Sequence, residues 1–113
     1  MPYISLKTNT AIPKQAGKNL EKRLGQAISL IPGKSEKWLM LSLEGSVCMA
    51  FAGQEDPCCM VQVDTYGKVE DRDASALTSS ICTMVQEELH VAPDRTYVAY
   101  RSTGQWGWNG ENF

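Results

Sequence analysis

The chain has 113 residues, the size of one domain with one core, so positions 1–113 are read as a single unit. Its composition, 42% hydrophobic and 21% charged, is that of an ordinary folded domain, and a formal charge of −2 with a pI near 5.3 lacks the clustered basic excess that nucleic acid requires. No apolar run approaches the ~18 residues of a membrane span, and the first residues carry neither a charged leader nor a long apolar stretch. The reading is therefore a cytoplasmic domain without nucleic-acid or membrane partners, with leaderless secretion left open.

Pro2 follows the initiator methionine directly. A small residue at that place favours removal of Met1, which would leave Pro2 with a free secondary amine able to act as a base. The plainer reading is that a proline, having no N–H to donate, marks the first residue of a strand. Residues 3–8 then alternate, with Ile4 and Leu6 on one face, and predict a half-buried strand. Pro13 suits a first helical position. Ala16, Leu20, Leu24, Ala27, Ile28 and Ile31 recur at steps of three and four as one apolar stripe, while Lys14, Lys18 and Lys22 form a solvated row, and Pro32-Gly33 stops the helix.

Trp38 to Leu43 is a nearly continuous apolar run, which predicts a strand covered on both faces. A turn-rich stretch from Glu44 to Pro57 follows, and Cys59, Val61 and Val63 alternate as a third strand that ends at Tyr66-Gly67. Asp71 and Asp73 are N-cap candidates for a helix carrying Leu77, Ile81, Met84, Val85 and Leu89 up to Pro93, and Thr96 to Tyr100 is a fourth strand. The two halves repeat the order strand, helix, strand. They predict an α/β (α+β) fold of two β-α-β units, with a four-stranded mixed sheet and both helices on one face. The other face, expected to be largely apolar, predicts an oligomer.

Cys48, Cys58, Cys59 and Cys82 are read as reduced thiols. Cys58 and Cys59 are neighbours, and their Cα separation of about 3.8 Å lies below the disulfide range of about 4.4–6.8 Å. His90 has no Cys-x-x-Cys to join it, so no metal is expected.

Pro2, Gly33-Lys34, Met49-Ala50-Phe51-Ala52-Gly53, Glu55-Asp56-Pro57-Cys58, Pro93-Asp94-Arg95-x-Tyr97 and Gly107-Trp108-Asn109-Gly110-x-x-Phe113 together resemble the macrophage migration inhibitory factor family of the tautomerase superfamily. The likeness spans essentially the whole chain. It implies a homotrimer around a central channel and a cofactor-free keto–enol tautomerase acting on arylpyruvates such as phenylpyruvate, with dopachrome as a further substrate. Pro2 would be the catalytic acid/base and Lys34 the holder of the substrate carboxylate. The backbone N–H of Tyr66, within Thr65-Tyr66-Gly67, would be a second carboxylate contact. Tyr97 would come from the neighbouring subunit, and Tyr3, Trp38, Trp106, Trp108 and Phe113 would wall the pocket.

Three departures narrow what carries over. Ala99 stands where the animal proteins have an asparagine, which removes a hydrogen bond to a phenolic substrate. Cys58-Cys59-Met60-Val61 lacks the Cys-x-x-Cys spacing, so a thiol-oxidoreductase role is not transferred. Trp106 replaces a smaller residue and narrows the mouth. The resemblance also implies an alternative function, a cytokine-like trimer acting on a protein receptor.

Overall fold

In a computed structural model describing residues 1–113, Pro2–Thr8 forms strand β1, with Ile4, Leu6 and Thr8 fully buried on one face. Pro2 heads the strand, where its missing N–H costs no ladder bond. Helix α1 spans Lys14–Ala27, strand β2 Met40–Glu44, strand β3 Cys59–Tyr66, helix α2 Asp71–Leu89 and strand β4 Thr96–Thr103. The sheet order is β2-β1-β3-β4, with β1 parallel to β2, β3 parallel to β4, and the inner pair β1 and β3 antiparallel. These are the two expected β-α-β units joined through their first strands.

The core lies between the sheet and the helices. Leu20, Leu24 and Ile28 from the first half meet Leu77, Ile81 and Val85 from the second above Ile4, Leu6, Val61 and Val63. Each such side chain contributes about 1.5–3 kcal/mol by leaving water. Arg23 bridges the helices to Glu87 and Glu88 at 2.6 and 3.2 Å. Tyr100 ties β4 to α2, its hydroxyl donating to the Ala74 carbonyl and sharing a hydrogen bond with the Thr78 hydroxyl, both at 2.8 Å.

Several expectations need correction. Trp38–Leu43 is not a strand buried on both faces. Trp38 ends a short 3₁₀ turn (Glu36–Trp38), and β2 is an edge strand whose Leu41 and Leu43 face the core while Met40 is 68% exposed. The open sheet face is not largely apolar either. Cross-strand register aligns Tyr3 with Met40 and Asp64, Ser5 with Ser42 and Gln62, and Lys7 with Glu44 and Met60, and Arg101 pairs with Asp64 at 3.1 Å. The apolar residues were spent on the helix side, and a mixed polar surface was left.

The α-helix ends at Ala27 and passes into a 3₁₀ turn at Ile28–Leu30, which carries the stripe on to buried Ile31. Pro13 sits at the N-cap of α1, one place before the expected first turn. Glu70 is the N-cap of α2, and Asp71 and Asp73 lie within its first turn, where carboxylates meet the positive end of the helix dipole. His90 closes α2 in the left-handed conformation, its N–H donating to Gln86. No helix is long and apolar enough to cross a membrane.

Candidate active site

Three elements converge where the chain begins. β1 starts beside the end of β3, with Pro2 opposite Thr65, and the loop after α1 brings Lys34 to the same corner. Lys34 Nζ donates to the carbonyl of Tyr66 at 2.8 Å. The backbone N–H of Tyr66 donates in turn to the Met1 carbonyl at 3.1 Å. Burial pulls the terminal amine below its usual range, and the Lys34 cation, by charge and by hydrogen bonding, pulls it further the same way.

From this corner a cleft of about 340 Å³ opens between Met1, Pro2, Lys37, Trp38, Leu39, Met40, Trp106, Gly107 and Trp108. Its far wall is a hairpin that the sequence reading did not separate, β5 (Gly107–Trp108) paired with β6 (Glu111–Asn112). Asn109 and Gly110 make its two-residue turn, at φ of 54° and 86°. Both positive angles are what a tight type I′ hairpin needs, and Asn-Gly is the pair that adopts them at least cost. The turn carries Trp108 edge-on to Trp38, with ring centroids 5.1 Å apart. Phe113 returns to meet Tyr66 edge-on at 5.2 Å, and its N–H donates to the Trp106 carbonyl.

Pro2, Lys34, Trp38, Tyr66, Trp106, Trp108 and Phe113 are thus gathered at one corner of the fold. Of the other candidates, Tyr3 and Thr65 adjoin this corner without lining the cleft, and Tyr97 is remote from it. Tyr3 alternates onto the open sheet face, with its hydroxyl 2.6 Å from Ser42 Oγ. Thr65 is buried on the helix side, its hydroxyl donating to the Gly67 carbonyl. Tyr97 pairs with Met60, five residues along β3 from the Thr65 opposite Pro2, which is about 17 Å at the usual strand rise. Within one chain it cannot reach the cleft.

Tyr97 is 62% exposed and rests edge-on against Phe51, with ring centroids 5.0 Å apart. Arg95 braces this pair. Its guanidinium donates to the carbonyls of Pro57, Asp56, Gln54 and Phe51 at 2.8–3.4 Å and lies over the Phe51 ring.

Lys37 is the functional-looking residue that sequence reasoning missed. It is the one charged side chain lining the cleft, and only its place one residue before Trp38 could have pointed to it. Two larger depressions, of 440 and 480 Å³, lie at the start of α1 and along α2. Both are more open, and neither combines an amine, a cation and aromatic walls, so the cleft at Pro2 is the better candidate on chemistry. Cys58 and Cys59 are buried, and burial foremost pushes the Cys59 thiol up to about 12, far from the thiolate that redox exchange needs.

Known proteins agree with this architecture. The chain is 27% identical to macrophage migration inhibitory factor of Rattus norvegicus, covering 100% of this chain and 99% of that one. It is similar, at 27% identity and a TM-score of 0.93, to the crystal structure of Leishmania major MIF2, covering 100% of this chain and 97% of that one. A homologue from Prochlorococcus marinus aligns at a TM-score of 0.89 and 27% identity over 98% of each chain. The sequence pattern of macrophage migration inhibitory factor (MIF) matches residues 1–113, and the chain belongs to that family.

Proposed function

We propose that Met1 is removed and that the chain is a keto–enol tautomerase of arylpyruvates such as phenylpyruvate, with the Pro2 amine as acid/base and Lys34 holding the carboxylate. The carrying observation is the electrostatics of the chain start. An amine there is depressed by burial and by the Lys34 cation. Pro2 is buried in the chain that carries Met1, and once Met1 is gone its nitrogen becomes the terminal amine beside Lys34, where burial and the same cation act on it. A reference α-amine titrates near 7.7–8.0, so depression moves such an amine toward the neutral, basic form near physiological pH.

In the enolising direction the Pro2 nitrogen takes a proton from the carbon next to the keto group. The C–H electron pair becomes the new carbon–carbon double bond, and the carbonyl pair moves onto oxygen. That oxygen faces the Lys34 cation as its charge develops, and the prolinium then returns the proton to it. Excision of Met1 also removes the carbonyl that accepts the Tyr66 N–H, which frees this donor for the substrate carboxylate. Trp38, Trp106 and Trp108 suit a flat aryl ring, with Phe113 beside Tyr66 closing the corner.

The same reading includes a homotrimer. Tyr97 stands exposed against half-buried Phe51 on an Arg95-braced platform far from its own Pro2, and a second copy that accepts this platform would receive Tyr97 into its cleft. The test is the loss of phenylpyruvate enol absorbance with protein whose mass shows Met1 absent. A rate well above buffer is expected, and a rate equal to buffer contradicts the proposal.

A further inference from the structure

Resting on the tautomerase reading, we infer that the cleft selects aromatic acids with a second anionic group on the ring, and that Lys37 recognises that group. Lys34 stands at the Pro2 corner, on the Tyr66 carbonyl. Lys37 lines the cleft beyond it, with its Nζ 5.2 Å from the centroid of the Trp38 ring. Trp38 in turn packs edge-on to Trp108. An aryl ring lying along these tryptophans has one cation at its carboxylate end and another beside its ring end.

Neither cation is neutralised within the chain. The ion pairs of the molecule are Arg23 with Glu87 and Glu88, Arg72 with Asp73, and Arg101 with Asp64, and neither lysine takes part. The carboxylate nearest in sequence, Glu36, is turned away from the cleft onto α1. Its carboxylate end lies over Gly25 of α1. Glu111, opposite Trp108 in the β5–β6 hairpin, makes no ion pair. In a chain of net charge −2, two unpaired lysines, Lys37 lining the aromatic cleft and Lys34 at its Pro2 corner, mark a local excess of positive charge that favours a dianion over a monoanion. Lys37 is exposed, so solvent screens it, and the preference is modest, about 2- to 5-fold.

The test uses unreactive acids that lack the keto group, so it does not depend on turnover. All three tryptophans of the chain, Trp38, Trp106 and Trp108, line the cleft, and their fluorescence reports binding there. Met1-free protein is titrated at low salt with phenylpropanoate, para-carboxyphenylpropanoate and para-carbamoylphenylpropanoate. The carboxy compound is expected to bind about 2- to 5-fold tighter than the other two, with the advantage lost at high salt and in Lys37→Gln. Lys34→Gln is expected to weaken all three. Equal affinities in the unaltered protein overturn the inference, as does an advantage that persists in Lys37→Gln or is shared by the carbamoyl compound. Failure of phenylpyruvate turnover with the advantage intact removes the proposed reaction and leaves the second anion site standing.

Discussion

The carbonyl of Met1 and the N–H of Tyr66 satisfy each other at 3.1 Å, so the initiator residue occupies the backbone donor that a substrate carboxylate would use. Retention of Met1 thus has two consequences, since it also turns the Pro2 nitrogen into an amide without basicity. Protein engineered to keep its methionine, checked by mass, is expected to lose tautomerase activity to near background while its far-ultraviolet dichroism is unchanged. Full activity with Met1 attached would exclude Pro2 as the base.

Lys34→Ala removes the cation beside the chain terminus and the proposed anchor of the carboxylate. A charge-assisted hydrogen bond is worth about 1.5–3 kcal/mol, so kcat/KM for phenylpyruvate is expected to fall about 10- to 100-fold, mainly through KM. Steady-state kinetics checks this.

The pH profile follows from the same pair. The Met1 amine at this place is depressed, and a Pro2 amine depressed by the same burial and the same Lys34 cation would keep its neutral form below the unfolded value of about 7.7–8.0, with activity falling only as pH drops through the lower folded value. Between those two values the unfolded chain binds more protons than the folded one, so stability rises with pH across that window. In Lys34→Ala one of the depressing causes is gone, and the acid limb of kcat/KM should move to higher pH.

Gly25 lies beneath the Glu36 carboxylate, and an added methyl would displace only the far end of a flexible side chain. Alanine is better than glycine inside a helix by about 0.8–1 kcal/mol. Gly25→Ala is therefore expected to be neutral or to stabilise by up to ~1 kcal/mol in urea denaturation. A loss of more than this would show that Glu36 cannot leave its seat.

Cys59 is buried on the helix side of β3 and its thiol is pushed up to about 12. Native protein treated with iodoacetamide near pH 8 should leave Cys59 unlabelled, and denaturation should expose it, as peptide mass spectrometry would read.

Much of the fold was legible because period-2 and period-3.6 patterns dominate β1, α1, β3 and α2. Trp38–Leu43 misled because hydropathy does not tell an edge strand from a central one. Leu41 and Leu43 serve the core, whereas Trp38 and Met40 serve the cleft. The same confusion made the open face look apolar. The β5–β6 hairpin carried its signal in Asn109-Gly110, but its strands are two residues each, too short for alternation to show. At the site, the family resemblance singles out Pro2 and Lys34, and the geometry gathers them with the tryptophans. Lys37 is not legible in the sequence because a lysine in a turn is ordinarily a solvated charge, and only the path of the backbone turns it toward the cleft.

The central claim is that the Pro2 amine does the chemistry, and Pro2→Gly tests it most directly. The variant also loses Met1 and keeps a terminal amine, but one that is primary and no longer held by a ring. With Met1 absent from both proteins by mass, the account predicts a fall in kcat/KM for phenylpyruvate on the order of 10², with the assembly unchanged in light scattering. Unchanged kcat/KM in Pro2→Gly would show that another group is the base.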